Sequence, residues 1–307
     1  MREGYERVIR PRLADARFFL EQDQKQPLEQ YLEGLDRVVF QQKIGTVGDK
    51  TRRIAAISKK LAEILSIDPD TAARAAQLAK CDLLTQMVGE FPELQGVMGA
   101  HYALAAGESA AVAAAIGEHY LPGFAGDAIP STAAGRVIGI ADRADTLVAI
   151  FAAGQRPSGN KDPFALRRAA LGLVRILLEA RLELDLNRVL ALATHELAAQ
   201  VEIDPALLPE IREFVVERLR HYYREQGHGA DLISAALASD SLRATTADLP
   251  RGHAIHARAA TQPGRLATGP QSRDRRRLRA PLATGPMRAP SAHGPRRPPH
   301  SSRASTM

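Results

Sequence analysis

The chain has 307 residues, 45% of them hydrophobic, with one cysteine and a formal net charge of +6. A single cysteine excludes an internal disulfide and suits a reducing compartment. No apolar run approaches the roughly 18 residues that span a bilayer, and the opening MREGYERVIRPRLADA lacks the apolar centre of a secretory signal, so a cytoplasmic protein with no membrane partner is expected.

The charge is unevenly spread. Residues 246–307 hold 12 arginines, no lysine, two aspartates and no glutamate, a net of +10, which leaves −4 for the rest of the chain. That terminal stretch also has nine prolines, no aromatic residue and no valine. It has too little apolar surface to offset the entropy of ordering, so a disordered tail is expected there. The same composition fits an out-of-frame reading of GC-rich DNA, or a basic nucleic-acid-binding arm.

The remainder reads as helical, because apolar residues recur at spacings of three and four. Residues 1–23 resemble the end of an upstream element. Leu28, Leu32, Leu35, Val38 and Val39 predict an amphipathic helix over 27–43, broken by Gly45 and Gly48. Asp49 is placed to cap a helix carrying Ile54, Ile57, Leu61 and Ile64, and Asp68-Pro69 restarts the chain into a helix ending on Cys81-Asp82. A loop is expected around Phe91-Pro92 and Gly96–Gly99, a helix over 108–119, a glycine- and proline-rich loop over 122–132, and a helix from Ala133 bearing Asp142 and Asp145. Asp162-Pro163 predicts another helix start. Behind it Arg168, Gly172 and Arg175 share a face, where the missing side chain at Gly172 would admit a partner backbone or a phosphate; the alternative is a solvated face with an Arg175–Glu179 pair. A last helix pair, 207–226 and 231–238, exposes Arg212, Arg218, Arg220 and Arg224 beside Tyr222 and Tyr223, a combination suited to stacking on single-stranded bases.

Lys80 to Tyr102, KCDLLTQMVGEFPELQGVMGAHY, sets Cys81-Asp82 where an HD-type hydrolase carries its metal-binding His-Asp pair. His101 and Asp142 are the next candidate ligands, but no histidine precedes His101, so the first imidazole of such a site has no candidate. Cys81, Asp82, His101 and Asp142 are therefore read as degenerate positions serving as polar groups of a helical core, with no bound metal; a metal-dependent HD-type phosphohydrolase is the alternative. His119, His195 and His221 stand singly and are read as surface or packed groups. No GxxxxGK[ST], no GxGxxG and no nucleophile–base system is visible, so no catalytic residue is assigned.

The segments RVIRPRLADARFFLEQD, VVFQQKIGTVGDKTRRI, KCDLLTQMVGEFPELQGVMGAHYA, FAGDAIPST, IADRADTL and DPFALRRAALG follow in this order. Together they resemble the β chain of the bacterial heterotetrameric glycyl-tRNA synthetase. The resemblance implies an all-α chain: residues 1–40 as the end of an upstream tRNA-binding region, 41–204 as an HD-like helical domain, and 205–245 as the first helices of an anticodon-binding bundle. It departs from the family at both ends, lacking most upstream modules and giving way to the tail at 246–307. It further implies an assembly of two α and two β chains that attaches glycine to tRNA(Gly), with ATP and Mg at the α chain and no cofactor on this one. Arg167, Arg168, Arg175, Arg218, Arg220, Tyr222 and Tyr223 are the candidate tRNA or partner contacts.

Overall fold

A computed structural model describes residues 2–231, 233 and 234, all within one compact unit. The expected tail at 246–307 and most of the helix expected at 231–238 lie outside the described residues. The described part is all-α apart from two short strands. No helix in it is long and apolar enough to cross a membrane.

Helix α1 spans Arg2–Asp23. The segment expected to be a helix over 27–43 instead forms two 3-10 helices, Leu28–Tyr31 and Glu33–Arg37, and strand β1, Val39–Gln41. Its leucines do turn inward, with Leu28 and Leu35 fully buried, but close packing replaces helical regularity. A Cβ on Gly34 would come within 2.6 Å of Leu84. The β-branched Val38-Val39 then runs into an antiparallel pair with β2, Gly45–Thr46, turned by Gly45 at φ +113°.

Helix α2 covers Val47–Ile64. Its cap is Thr46 rather than Asp49: the Thr46 hydroxyl accepts from the Asp49 amide, and the Asp49 carboxylate accepts from the Thr46 amide, a reciprocal capping box. Gly48 thus lies inside the helix, where a side chain would strike Asp36. Helix α3, Pro69–Leu78, starts at Asp68-Pro69 as expected, with Asp68 as its cap, but it stops short of Cys81, which opens a 3-10 turn over Cys81–Leu84. Short α4 (Gln86–Glu90) follows. The expected loop at 91–99 contains a 3-10 turn and the start of α5 (Val97–Ala105), launched from Gly96 at φ +82°. Helix α6 is Ala110–Glu118.

Helix α7, Ala133–Ala152, is the axis of the fold, buried on nearly every side against α2, α3, α6, α8 (Leu166–Glu179), α9 (Leu186–Ala198) and α10 (Leu207–Glu225). Its sequence, AAGRVIGIADRADTLVAIFA, is apolar around the whole circumference except at Arg136, Asp142, Arg143, Asp145 and Thr146, as a buried helix requires. Helix α8 begins later than expected. Asp162 does receive the Leu166 and Arg167 amides, at 2.8 and 3.0 Å, but Pro163–Ala165 form a turn and Ala165 adopts φ +51°.

Candidate functional site

The expected HD positions do not meet. Cys81 is buried and its thiol donates to the Gln77 carbonyl at 3.8 Å, a partner that cannot take its proton. Burial, reinforced by the charge of Asp82, pushes that thiol up to about 12, so it is no nucleophile near neutrality. Asp82 is fully buried and serves α5: one oxygen accepts from the Gly96 amide at 2.6 Å and the Gly99 amide at 3.1 Å. A Cβ on Gly99 would sit 2.9 Å from Ile116 and 3.0 Å from that oxygen, so glycine lets α5 approach closely. Burial holds the Asp82 carboxyl above its ordinary value. His101 is exposed on the far side of α5, its Nε2 3.2 Å from the Gln24 amide nitrogen. Asp142 lies on α7 among lysines. Among the described residues no group of three or more His, Cys, Asp or Glu side chains is arranged to hold a metal ion. The residues present therefore do not fit a metal-dependent hydrolase.

Asp82→Ala is accordingly expected to cost about 1–2 kcal/mol through loss of the two amide contacts at the start of α5. Asp82→Asn keeps an acceptor for both amides and should cost less. Urea denaturation of the two variants gives the comparison, and equal losses would contradict the capping role.

The polar centre of the fold is a different set of residues. Lys50 of α2 and Lys80, just before the 81–84 turn, each place an ammonium nitrogen 2.7 Å from a separate oxygen of Asp142. Lys50 also reaches Asp145 at 3.1 Å and the Thr146 hydroxyl at 2.7 Å. Lys80 donates to His119 Nε2 at 2.9 Å, and its ammonium lies 4.0 Å from the centroid of the Tyr120 ring. Arg53, one turn beyond Lys50, grips both oxygens of Asp145, at 2.6 and 3.1 Å, and donates to Gln200 at 2.6 Å. One chain of contacts thus ties α2, the α3 end, the α6 end, α7 and the α9 end together.

Electrostatics fixes the protonation states. Burial alone would raise the Asp142 carboxyl, but Lys50 and Lys80 hold it well below the usual carboxylate range. His119 is fully buried; burial first, and the Lys80 charge second, lower it to about 3. It is therefore a neutral imidazole with Nδ1 donating to the Ile116 carbonyl at 2.6 Å and Nε2 accepting from Lys80. Both carboxylate oxygens of Asp142 and the free imidazole nitrogen are thus engaged by ammonium groups, which makes the centre an ion-pair network.

Two more arginines flank it. Arg143 is buried, lowered by burial to about 10, and binds carbonyls only: His119, Gly139, Tyr120, Leu121 and Pro122. Arg175 is also buried and pairs with Glu179 at 2.6 Å, as one reading of this face expected. Its remaining donors go to the carbonyls of Phe124, Ala125 and Asp127. The gap over Gly172 is not open to a partner or phosphate, since the Arg143 guanidinium lies in it. Arg175 thus braces the loop before α7. Gly172→Ala should push Arg143 out of place and cost about 1–3 kcal/mol, visible as a lower urea midpoint at unchanged slope.

The other candidate contacts are scattered. Arg168 is exposed on α8 and Arg167 half-buried. On α10, Arg218 pairs with Glu217 at 2.9 Å and lies over the Phe214 ring, while Arg220 pairs with Glu213 at 2.7 Å. Tyr222 donates to Glu179 at 3.2 Å, which joins it to Arg175, and its ring centroid lies 5.8 Å from that of Tyr223. Arg175 and Tyr222 are thus brought together through Glu179 as packing between α8 and α10.

Comparison with known proteins identifies the family. The profile of the family described as glycyl-tRNA synthetase beta subunit matches residues 1–238. The glycine–tRNA ligase beta subunit of Chromohalobacter salexigens is 50% identical over 236 residues, covering 77% of this chain and 34% of that relative. That of Ralstonia nicotianae is 51% identical over 238 residues, again 77% and 34%. That of Janthinobacterium sp. is 50% identical over 236 residues, with 76% and 33% covered. The chain spans about a third of the length of the curated relatives it matches. With a profile that runs from the first residue through the last described helix, the chain belongs to the glycyl-tRNA synthetase beta subunit family.

Proposed function

We propose that this chain acts as a non-catalytic scaffold within a glycine–tRNA ligase, supporting the ATP-dependent attachment of glycine to tRNA(Gly) in translation. The single observation that carries the reading is the ion-paired centre. Asp142 on the central helix is engaged on both oxygens by Lys50 and Lys80, and His119 is engaged by Lys80. A side-chain set committed to itself suits structural support better than turnover, and the names of the relatives supply the assembly in which that support is needed.

In this reading the α chain binds ATP, Mg and glycine, two α and two β chains assemble, and this chain contributes to holding tRNA(Gly) and the α chain in the cytoplasm. Residues 41–204 serve as the HD-like helical domain between an upstream tRNA-binding region ending near residue 40 and an anticodon-binding bundle beginning near 205. Arg168, Arg218, Arg220 and Tyr223 remain candidate tRNA or partner contacts, Arg168 being the most accessible of the arginines on α8.

The test is to mix the purified chain with the matching α chain, and to measure association by sedimentation and glycylation by incorporation of labelled glycine into tRNA(Gly). Association at micromolar concentration is expected, with neither glycine activation nor nucleotide hydrolysis by this chain alone. Absence of a complex at that concentration, or hydrolysis abolished by Asp142→Asn in a protein that still folds, overturns the proposal.

A further inference from the structure

Phe124 is a large hydrophobic side chain that is 67% exposed. It stands at the tip of the loop between α6 and α7, in an exposed run Gly123-Phe124-Ala125-Gly126 that carries no charge. A lone exposed phenylalanine is ordinary on a protein surface. What surrounds this one is not, because two arginines fasten six carbonyls of the loop beneath it.

Arg143 binds the carbonyls of Tyr120, Leu121 and Pro122 at 2.8 to 3.2 Å. Arg175 binds those of Phe124, Ala125 and Asp127 at 3.3, 3.4 and 2.6 Å. Within the tip, the Asp127 amide donates to the Phe124 carbonyl at 3.2 Å, and the Asp127 carboxylate accepts from the Gly123 and Ala128 amides at 2.7 and 2.9 Å. One edge of the phenyl ring rests against Gly126, 3.9 Å from where a Cβ would stand. Two buried guanidinium groups are therefore committed to the shape of a loop whose apex presents one aromatic ring to solvent. Burying such cations opposes folding, so they are an expensive way to hold a purposeless loop. A ring presented on a backbone already ordered loses little entropy on binding, and aromatic anchors of that kind dominate protein interfaces.

We propose that the Phe124 loop is a preformed anchor that inserts into an apolar, ring-sized cleft on a protein partner, and that this partner is the companion subunit of the synthetase. The choice of a protein over RNA follows from charge. Nucleic-acid interfaces are rich in cations, whereas the apex has none; its one acidic side chain, Asp127, is bound to the loop amides, and the two arginines beneath it are turned inward to carbonyls. The choice of partner rests on the multi-subunit reading above.

The test uses the full chain, with the purified α subunit titrated against it in biolayer interferometry. Phe124→Ala should weaken the complex by about 30-fold or more, as loss of an interface anchor does. Its melting temperature should stay that of the parent, because the ring is outside the core. Phe124→Leu, which restores apolar volume without the flat ring, should recover part of the affinity. An affinity for Phe124→Ala within twofold of the parent overturns the inference and leaves the proposed function standing. Loss of tRNA binding with the subunit affinity unchanged also overturns it, in favour of RNA stacking. Failure of the parent chain itself to bind the α subunit removes the multi-subunit reading, and the anchor with it.

Discussion

Asp142→Ala is expected to lower the free energy of unfolding by about 3–5 kcal/mol, the usual result of deleting one side of a buried ion pair. The size follows from what would be left behind. Lys50 and Lys80 are 7% and 6% exposed at the side chain, and each spends a 2.7 Å contact on that carboxylate. Lys50 would still reach Asp145 and Thr146 directly, while Lys80 would keep a neutral imidazole, the face of Tyr120 and a longer-range attraction to Asp82, with no direct anionic contact in place of Asp142. The stranded charge is mainly that of Lys80. Asp142→Ala combined with Lys80→Met should therefore be less destabilised than the sum of the two single changes, by about 1–3 kcal/mol. Urea denaturation of the four proteins measures this coupling. Additive losses would mean that the two groups do not depend on each other.

Stability should also fall as the solution is acidified, and His119 sets much of the slope. The unfolded chain takes up a proton near pH 6.5, whereas the folded protein resists it until pH is about 3. Above pH 6.5 the imidazole is neutral in both states, and its contribution is fully present. As pH falls below that value the unfolded state gains protons that the folded state refuses, so the folded state loses ground by up to about 1.4 kcal/mol per pH unit. By pH near 4 the loss from this one group is on the order of 3 kcal/mol. His119→Gln, which keeps an acceptor for Lys80 and cannot titrate, should flatten the dependence between pH 6.5 and 4. Should the variant and the parent show parallel curves, the slope belongs to other groups.

Much of the fold was legible because its signals are local. The stripe of Ile54, Ile57 and Leu61, the Asp68-Pro69 start and the apolar run from Ala133 each describe a helix by itself. The segment over 27–43 was misread because its leucine spacing is helical while its shape is decided by contacts far along the chain, such as Leu84 against Gly34. Asp49 and Asp162 were recognised as helix-start residues, but the rule cannot say which neighbour sits at the cap when Thr46 is available too. The polar centre was missed for a chemical reason. A search for metal ligands passes over lysine, and His119 offers no sequence neighbour that would mark it. The usable signal was the opposite one: Asp142 and Asp145, one turn apart in a largely apolar helix, call for buried cations, and GDKTRRI supplies Lys50 and Arg53 at matching spacing. The interior role of Arg175 was not readable from α8 alone, because beyond Glu179 its partners are carbonyls of a loop about fifty residues earlier.

Cys81 has a practical consequence. It is the only cysteine of the 307 residues, fully buried, with its thiol held up to about 12. Thiol reagents act on thiolates they can reach, so the native protein should remain unlabelled by maleimides at neutral pH without any change to its sequence. A single cysteine introduced on the surface would then be the sole attachment point for a fluorophore or spin label. A pair of such cysteines on two chosen helices would report the distance between them, and the appearance of reactivity at Cys81 would itself report when the core opens.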